Sequence, residues 1–139
     1  MNIEEYYKQL LDEGCSLGRA QWIYANHYRK GIDTPINLDI AEAWFLRAWR
    51  NSFPGTASTQ TFVLERKWYD FVRQTYTRQP RLKEILEKAK LSASEETAHI
   101  TLETHNDAQK EWLKEQIDEI KEAFNKFTFK LFSDVIITL

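Results

Sequence analysis

The chain is poor in the residues that build disulfide frameworks, flexible linkers and membrane spans. It contains 1 cysteine, 4 glycines and 3 prolines among 139 residues. The single Cys15 cannot form an intramolecular disulfide, and no apolar run of about 18 residues marks a membrane span or a signal peptide. We therefore expect a protein of the reducing cytoplasm.

An excess of charge of one sign is also missing. Lysine and arginine number 19 against 21 acidic residues, which gives a formal net charge of -2. Such a chain has no global basic field to attract nucleic acid, although a local basic patch remains open. Hydrophobic residues, by contrast, make up 42% of the sequence and aromatic residues 14%. This is enough apolar material to fill a core.

The hydrophobic pattern predicts an α+β fold, with helical hairpins first and a small strand-helix-strand unit after them. The early part of the chain has helical periodicity, broken at Gly14, Gly31 and Pro54-Gly55. Residues 56–61 are small and polar and form the best candidate boundary. We therefore predict two parts, a helical region over 1–55 and an α+β module over 62–139, which begins with a helical hairpin.

In the second part the hydrophobic period changes from 2 to 3.6 and back to 2. Residues 92–96 indicate a polar turn, 97–104 a strand, and 127–132 a second strand. Asn106 and Gln109 have the spacing of a capping box, which predicts a helix between the strands, packed on the sheet. Because a whole helix connects them, a parallel pair is favoured. The mostly β-branched residues 135–139 either continue the second strand into the fold or pair with another chain.

Two segments resemble known families. The first contains small, aromatic, turn and cap residues at fixed spacing: Ala20, Tyr28, Gly31, Asn37, Ala41, Trp44, Phe45 and Ala48. Over about residues 10–50 it resembles one SEL-one-like repeat, a relative of the tetratricopeptide repeat, although Asp33 and Asn37 depart from the usual pattern. The small residues Ala20, Ala25, Ala41 and Ala48 would let two helices approach closely. Repeat arrays need about three units, so no extended concave surface is expected, and an ordinary helical pair remains the alternative.

The second segment runs from Trp68-Tyr69-Asp70-Phe71 through Pro80 and the Asn106-x-x-Gln-Lys-Glu turn to Phe127-Thr128-Phe129. Over about residues 62–134 it resembles the C-terminal module of the gamma/tau subunit of the bacterial DNA polymerase III clamp loader. It is similar, more loosely, to the N-terminal domain of the bacterial replication initiator. The resemblance implies a docking module for a replicative polymerase or helicase subunit. No Gly-x-x-x-x-Gly-Lys-Ser/Thr segment is present, so no nucleotide-driven activity is implied.

No group of residues indicates catalysis, a cofactor or a metal. His99, His105 and Asp107 are the clustered ligand types, but alternation turns His99 away from Ile100, so a solvated histidine is favoured. We therefore predict a non-enzymatic adaptor without catalytic, cofactor or metal residues.

The residues predicted to contact a protein partner are aromatic, basic or part of the last strand: Trp112, Trp49, Tyr69, Arg73, Val135 and Ile137. Trp112 lies one residue off the apolar helical stripe, so core and interface both remain open for it. The last strand also suggests a possible homodimer. Two alternatives remain. One is a single-stranded nucleic-acid binder that uses arginines interleaved with aromatics over 47–83, and the other is a SEL-one-like adaptor unrelated to replication.

Overall fold

The computed structural model describes residues 2–139 as an α+β protein that is 62% helical. This confirms the predicted fold class. Within the described residues the helices and strands follow in the order α1 (Ile3–Asp12), α2 (Leu17–Lys30), α3 (Leu38–Arg50), α4 (Ala57–Thr75), α5 (Pro80–Glu87), β1 (Lys90–Ser94), β2 (Thr97–Thr101), α6 (Asp107–Phe127) and β3 (Asp134–Thr138). None of the helices in this described part is long and apolar enough to cross a membrane.

The chain divides into two compact units, Met1–Thr59 and Gln60–Leu139. The division falls inside segment 56–61, where the sequence suggested a boundary. That segment is not a loop, because α4 already begins at Ala57. The change from one unit to the next therefore occurs within a helix.

The first unit is helical, and each of its first three helices begins at a side-chain cap. Asn2, Ser16 and Asn37 accept hydrogen bonds from backbone N–H groups three residues later. Helix α2 ends at Gly31, whose φ of 73° is the left-handed cap that its glycine predicted.

Small residues bring α2 and α3 of this unit together, as predicted: Ala20, Ala25, Ala41 and Ala48 are fully buried. Aromatic rings fill the space beside them, and Tyr24 meets Trp44 edge-to-face at 4.6 Å between ring centroids. Burial, followed by the hydrogen bond with Tyr28, raises the pKa of Tyr24 well above its ordinary value. Tyr24 is therefore a neutral packing residue of this unit.

The second unit contains a three-stranded sheet in the order β1-β2-β3. β1 pairs antiparallel with β2, from Lys90 opposite Thr101 to Ser94 opposite Thr97. β3 pairs in parallel with β2, from Thr97 opposite Asp134 to Thr101 opposite Thr138. A parallel pair connected by a helix is present, but its second strand is Asp134–Thr138 and not the predicted 127–132.

Strand β1 corrects the predicted polar turn over residues 92–96. Only Glu95 and Glu96 form the turn, with φ of 49° and 62°, while Ser92 to Ser94 belong to the strand. Two left-handed residues in succession match the twist of a tight hairpin, but glycine and asparagine usually occupy them. Because serine and alanine have low strand propensity, the hairpin left no local signal.

The predicted second strand over residues 127–132 is wrong. Phe127 is the last residue of α6, Phe129 and Lys130 have left-handed φ of 53° and 54°, and the strand is Asp134–Thr138. Two of its phenylalanines pack into the core instead: the ring of Phe127 lies 5.6 Å from that of Phe71, and the ring of Phe132 stacks on that of Phe124. The third, Phe129, is exposed. Aromatic residues at a helix end and in the following turn therefore gave a sequence pattern like that of a strand.

One face of the sheet is buried, and the other is open. Ala93, Ala98, Ile100 and Val135 lie on the buried face, which α6 covers with Leu113, Ile120 and Phe124, as predicted. Helix α4 joins this core through Trp68, whose ring lies 5.1 Å from that of Phe124. Trp68 Nε1 also donates a hydrogen bond of 2.8 Å to the carbonyl of Leu86, which ties α4 to α5 in the predicted helical hairpin.

Candidate functional site

A cavity of 410 Å³ in the second unit lies between α5 and the beginning of α6. Helix α5 and its end contribute Arg81, Glu84, Ile85 and Lys88, and α6 contributes Ala108, Gln109 and Trp112. The segment that follows β2 closes one side with Glu103, His105 and Asn106. Its size is that of a small ligand pocket or of a recess for one or two partner side chains.

The cap of α6 fixes the geometry of this wall. Asn106 Oδ1 accepts a hydrogen bond of 2.8 Å from the Gln109 N–H, and Gln109 Oε1 accepts one of 2.8 Å from the His105 N–H. The predicted capping pair is thus present, with the return bond made to His105. Because positions four apart share a helix face, the cap also sets where Ala108 and Trp112 stand.

Trp112 lines the cavity and is 38% exposed. It is therefore neither a core residue like Leu113, which is fully buried, nor a free surface side chain. Part of a large aromatic ring is left available to a binding partner.

The charges around the cavity are partly neutralised within it. Lys88 pairs with Glu84 at 3.2 Å, and Glu103 pairs with Lys90, just outside the cavity, at 3.8 Å. Such exposed pairs contribute at most about 1 kcal/mol to stability, but they cancel charge locally. Within residues 2–139, no ion pair or hydrogen bond involves the Arg81 side chain. The cavity thus combines an apolar wall of Ile85, Ala108 and Trp112 with an uncompensated guanidinium.

Tyr69 and Arg73 lie together on the exposed face of α4, and neither of them lines the cavity. Tyr69 is 58% exposed, and the Arg73 guanidinium lies 5.2 Å from its ring centroid. Arg73 also approaches Asp70 at 3.8 Å. These two predicted contact residues therefore form a small accessible pair of their own.

Two of the predicted contact residues do not offer their side chains. Trp49 is buried in α3, and Val135 is buried on the covered face of the sheet. They act as packing residues, because a buried side chain cannot reach a partner without local unfolding. Ile137, in β3, is half-buried.

The residues considered as metal ligands do not form a metal-binding cluster in the described part of the chain. His99 is exposed on the open face of β2, turned away from Ile100 as alternation predicted. No group of three or more His, Cys, Asp or Glu side chains in residues 2–139 is arranged to hold a metal ion.

The sequence did not single out Ile85 as part of a site, nor Phe129 as a surface residue. It indicated His105 only as a candidate metal ligand, and Arg81 only as part of the basic strip over 47–83. Phe129 is 88% exposed, because a left-handed turn holds its side chain in solvent. Arg81 and Ile85 line the cavity with Trp112 through packing of α5 beside α6, for which no local pattern exists. His105 reaches it through the cap at the start of α6. No family model, curated protein or solved structure matches this chain.

Proposed function

We propose that this chain is a non-enzymatic docking module that binds a protein partner through the cavity beside Trp112. The observation that carries the proposal is the partial exposure of Trp112 on the wall of a concave surface. Tryptophan and arginine dominate the energetics of protein interfaces, and both are available here as Trp112 and Arg81. Packing of α5 and the cap of α6 hold them in place, so little ordering is needed on binding.

The resemblance of residues 62–134 to the clamp-loader gamma/tau C-terminal module gives the proposal its biological setting. The second unit has two helices followed by strands that flank a capped helix, which is the order that the resemblance implies. We therefore take the partner to be a polymerase or helicase subunit of bacterial DNA replication. The helical unit before it, which resembles one SEL-one-like repeat, would be an accessory part of the adaptor.

Affinity capture from the native host tests this function. The full chain should retain a replicative polymerase or helicase subunit, and Trp112→Ala should lose it, since truncating a central aromatic anchor typically costs about 2 kcal/mol or more of binding. The matched control is Phe129→Ala, which removes an exposed aromatic ring outside the cavity.

Equal retention of that subunit by Trp112→Ala and the full chain would exclude the cavity as its docking site. Capture in which polymerase and helicase subunits never occur would reject the replication setting. Thermal unfolding of both variants must match that of the parent chain, so that a lost partner reflects lost contact.

A further inference from the structure

The sheet of the second unit has two edges, and among residues 2–139 a side chain caps the backbone groups of one of them. At the outer edge of β1, the Thr61 hydroxyl accepts a hydrogen bond of 2.9 Å from the Ala93 N–H and donates one of 3.2 Å to the Ala93 carbonyl. A side chain thus occupies the position where a further strand would pair. This is one of the ways in which proteins protect an edge.

Within the described part of the chain, no side chain hydrogen-bonds to the Ile137 backbone at the outer edge of β3. The Leu102 N–H donates to the Thr138 carbonyl at 2.8 Å, so the polar groups of Thr138 face β2. Because backbone groups alternate along a strand, those of Ile136 also face β2, and those of Val135 and Ile137 point outward. Among residues 2–139 the Ile137 N–H and carbonyl have no partner.

The side chains of β3 make this edge suited to pairing. Between Asp134 and Thr138 the strand contains only β-branched apolar residues, and Ile136 is 40% exposed on the open face. Ile137 lies level with Ile100, yet Ile100 is fully buried and Ile137 only half-buried. The difference arises because β3 lacks a neighbour on its outer side.

We propose that β3 pairs antiparallel with β3 of a second copy, in a register centred on Ile137. The two Ile137 residues then exchange both backbone hydrogen bonds, and the Leu139 N–H of each copy donates to the Val135 carbonyl of the other. The result is one continuous sheet through both copies, with a two-fold axis between the strands.

Asp134 selects this register. Its Oδ1 already accepts a hydrogen bond of 2.9 Å from the Val135 N–H, which withdraws that donor from the edge. Registers centred on Ile136 or Val135 depend on the Val135 N–H for pairing. The register centred on Ile137 relies instead on the free groups of Ile137 and the Val135 carbonyl.

The charges and side chains favour a second copy over another strand of arbitrary sequence. In this register Ile136 lies opposite Thr138 of the second copy, and each Ile137 side chain covers the other. The Asp134 carboxylates lie six residues apart along the paired strands, about 20 Å at 3.4 Å per residue. With a formal net charge of only -2 per chain, repulsion between copies is small.

Sedimentation of the full chain over a wide range of concentrations tests the pairing. The parent chain should pass from monomer to dimer, and Ile136→Lys should raise the dissociation constant by about tenfold or more, because it places a charge on the paired edge. The control is His99→Lys, which puts the same charge on the same open face but on the central strand. A parent chain that stays monomeric throughout, or an Ile136→Lys variant that dimerises like the parent, overturns the proposal.

Cysteine pairing tests the register, in a Cys15→Ser background. Mixing an Ile136→Cys chain with a Thr138→Cys chain under mild oxidation should give a crosslinked dimer, because these positions face each other. Ile136→Cys alone should remain uncrosslinked, since its own copy lies on the diagonal at about 7–8 Å. Crosslinking of Ile136→Cys with itself, or no crosslink in the mixture, rejects the Ile137 register.

Discussion

Gly18 is the residue at which packing in the first unit leaves no room for a methyl group. A Cβ built there would lie 2.5 Å from the carbonyl oxygen of Asn51 and 2.8 Å from the Cβ of Phe53. Both are rigid neighbours. The glycine therefore permits the close approach of α2 to the segment that follows α3, at the expense of helix propensity.

Replacing Gly18 with alanine should destabilise the protein, although alanine favours a helix by about 1 kcal/mol over glycine. Overpacking against backbone typically costs about 1–3 kcal/mol, so the steric effect should exceed the gain in propensity. Urea unfolding followed by circular dichroism measures the difference. A stabilised Gly18→Ala chain would mean that the neighbouring segment yields more easily than its contacts indicate.

Two tryptophans of the second unit show which properties of a residue the sequence does not predict. The apolar spacing on α4 predicted that Trp68 is a core residue, and it is buried. The same spacing could not predict its hydrogen bond to the Leu86 carbonyl. Trp112 could not be assigned to core or surface, because it stands beside the buried stripe on the same helix. Its exposure depends on how α5 packs nearby, and this is a tertiary property without a local signal.

At the scale of elements, the first turn of α6 decides how the candidate site is built. Its cap holds the segment that contains His105 and Asn106 against the helix, and that segment closes one side of the cavity. The stability of the helix start and the shape of the cavity therefore both depend on the side-chain amides of Asn106 and Gln109.

Asn106→Ala should lower the free energy of unfolding by about 1 kcal/mol, the usual loss for a removed N-cap. Asn106→Asp is the matched variant and should keep stability, because its carboxylate still accepts the Gln109 N–H and favours the positive end of the helix dipole. Thermal unfolding of both variants measures this. If the two variants lose stability equally, the cap bond does not stabilise α6.

Helices were more predictable from the sequence than strands for a physical reason. A helix makes its hydrogen bonds within itself, so the caps at Asn37 and Asn106 and the stop at Gly31 were readable locally. A strand is defined by its partner. β1 forms from weak strand residues because β2 lies beside it, and the alternation of Phe127, Phe129 and Leu131 with polar residues gave a false strand signal.

At the scale of the whole molecule, charge and burial weigh against the nucleic-acid alternative. Arginines do alternate with aromatic residues along the sequence, but Trp49, Trp68 and Tyr76 are buried. Burial also raises the pKa of Tyr76. Rings inside a core cannot stack on bases. Tyr69, beside Arg73, is the large aromatic residue that is well exposed among those described in this stretch.

We expect no binding of a labelled single-stranded oligonucleotide in fluorescence anisotropy at low salt. The reason is the near-neutral net charge together with the burial of most of the aromatic residues that would be needed. Binding that weakens steeply as salt is added, and that Tyr69→Ala abolishes while Phe129→Ala does not, would establish the alternative instead.

The connection between β2 and β3 has a consequence for folding of the newly made chain. β1 and β2 are joined by a two-residue turn and can pair at once, whereas β3 returns to β2 only after the whole of α6. Pairing between segments that are distant in sequence is slow, so the edge of β2 that β3 occupies stays unpaired until α6 has formed. During that interval the β3 of a neighbouring chain fits the same place, and the time needed to fold α6 sets the opportunity for such an exchange.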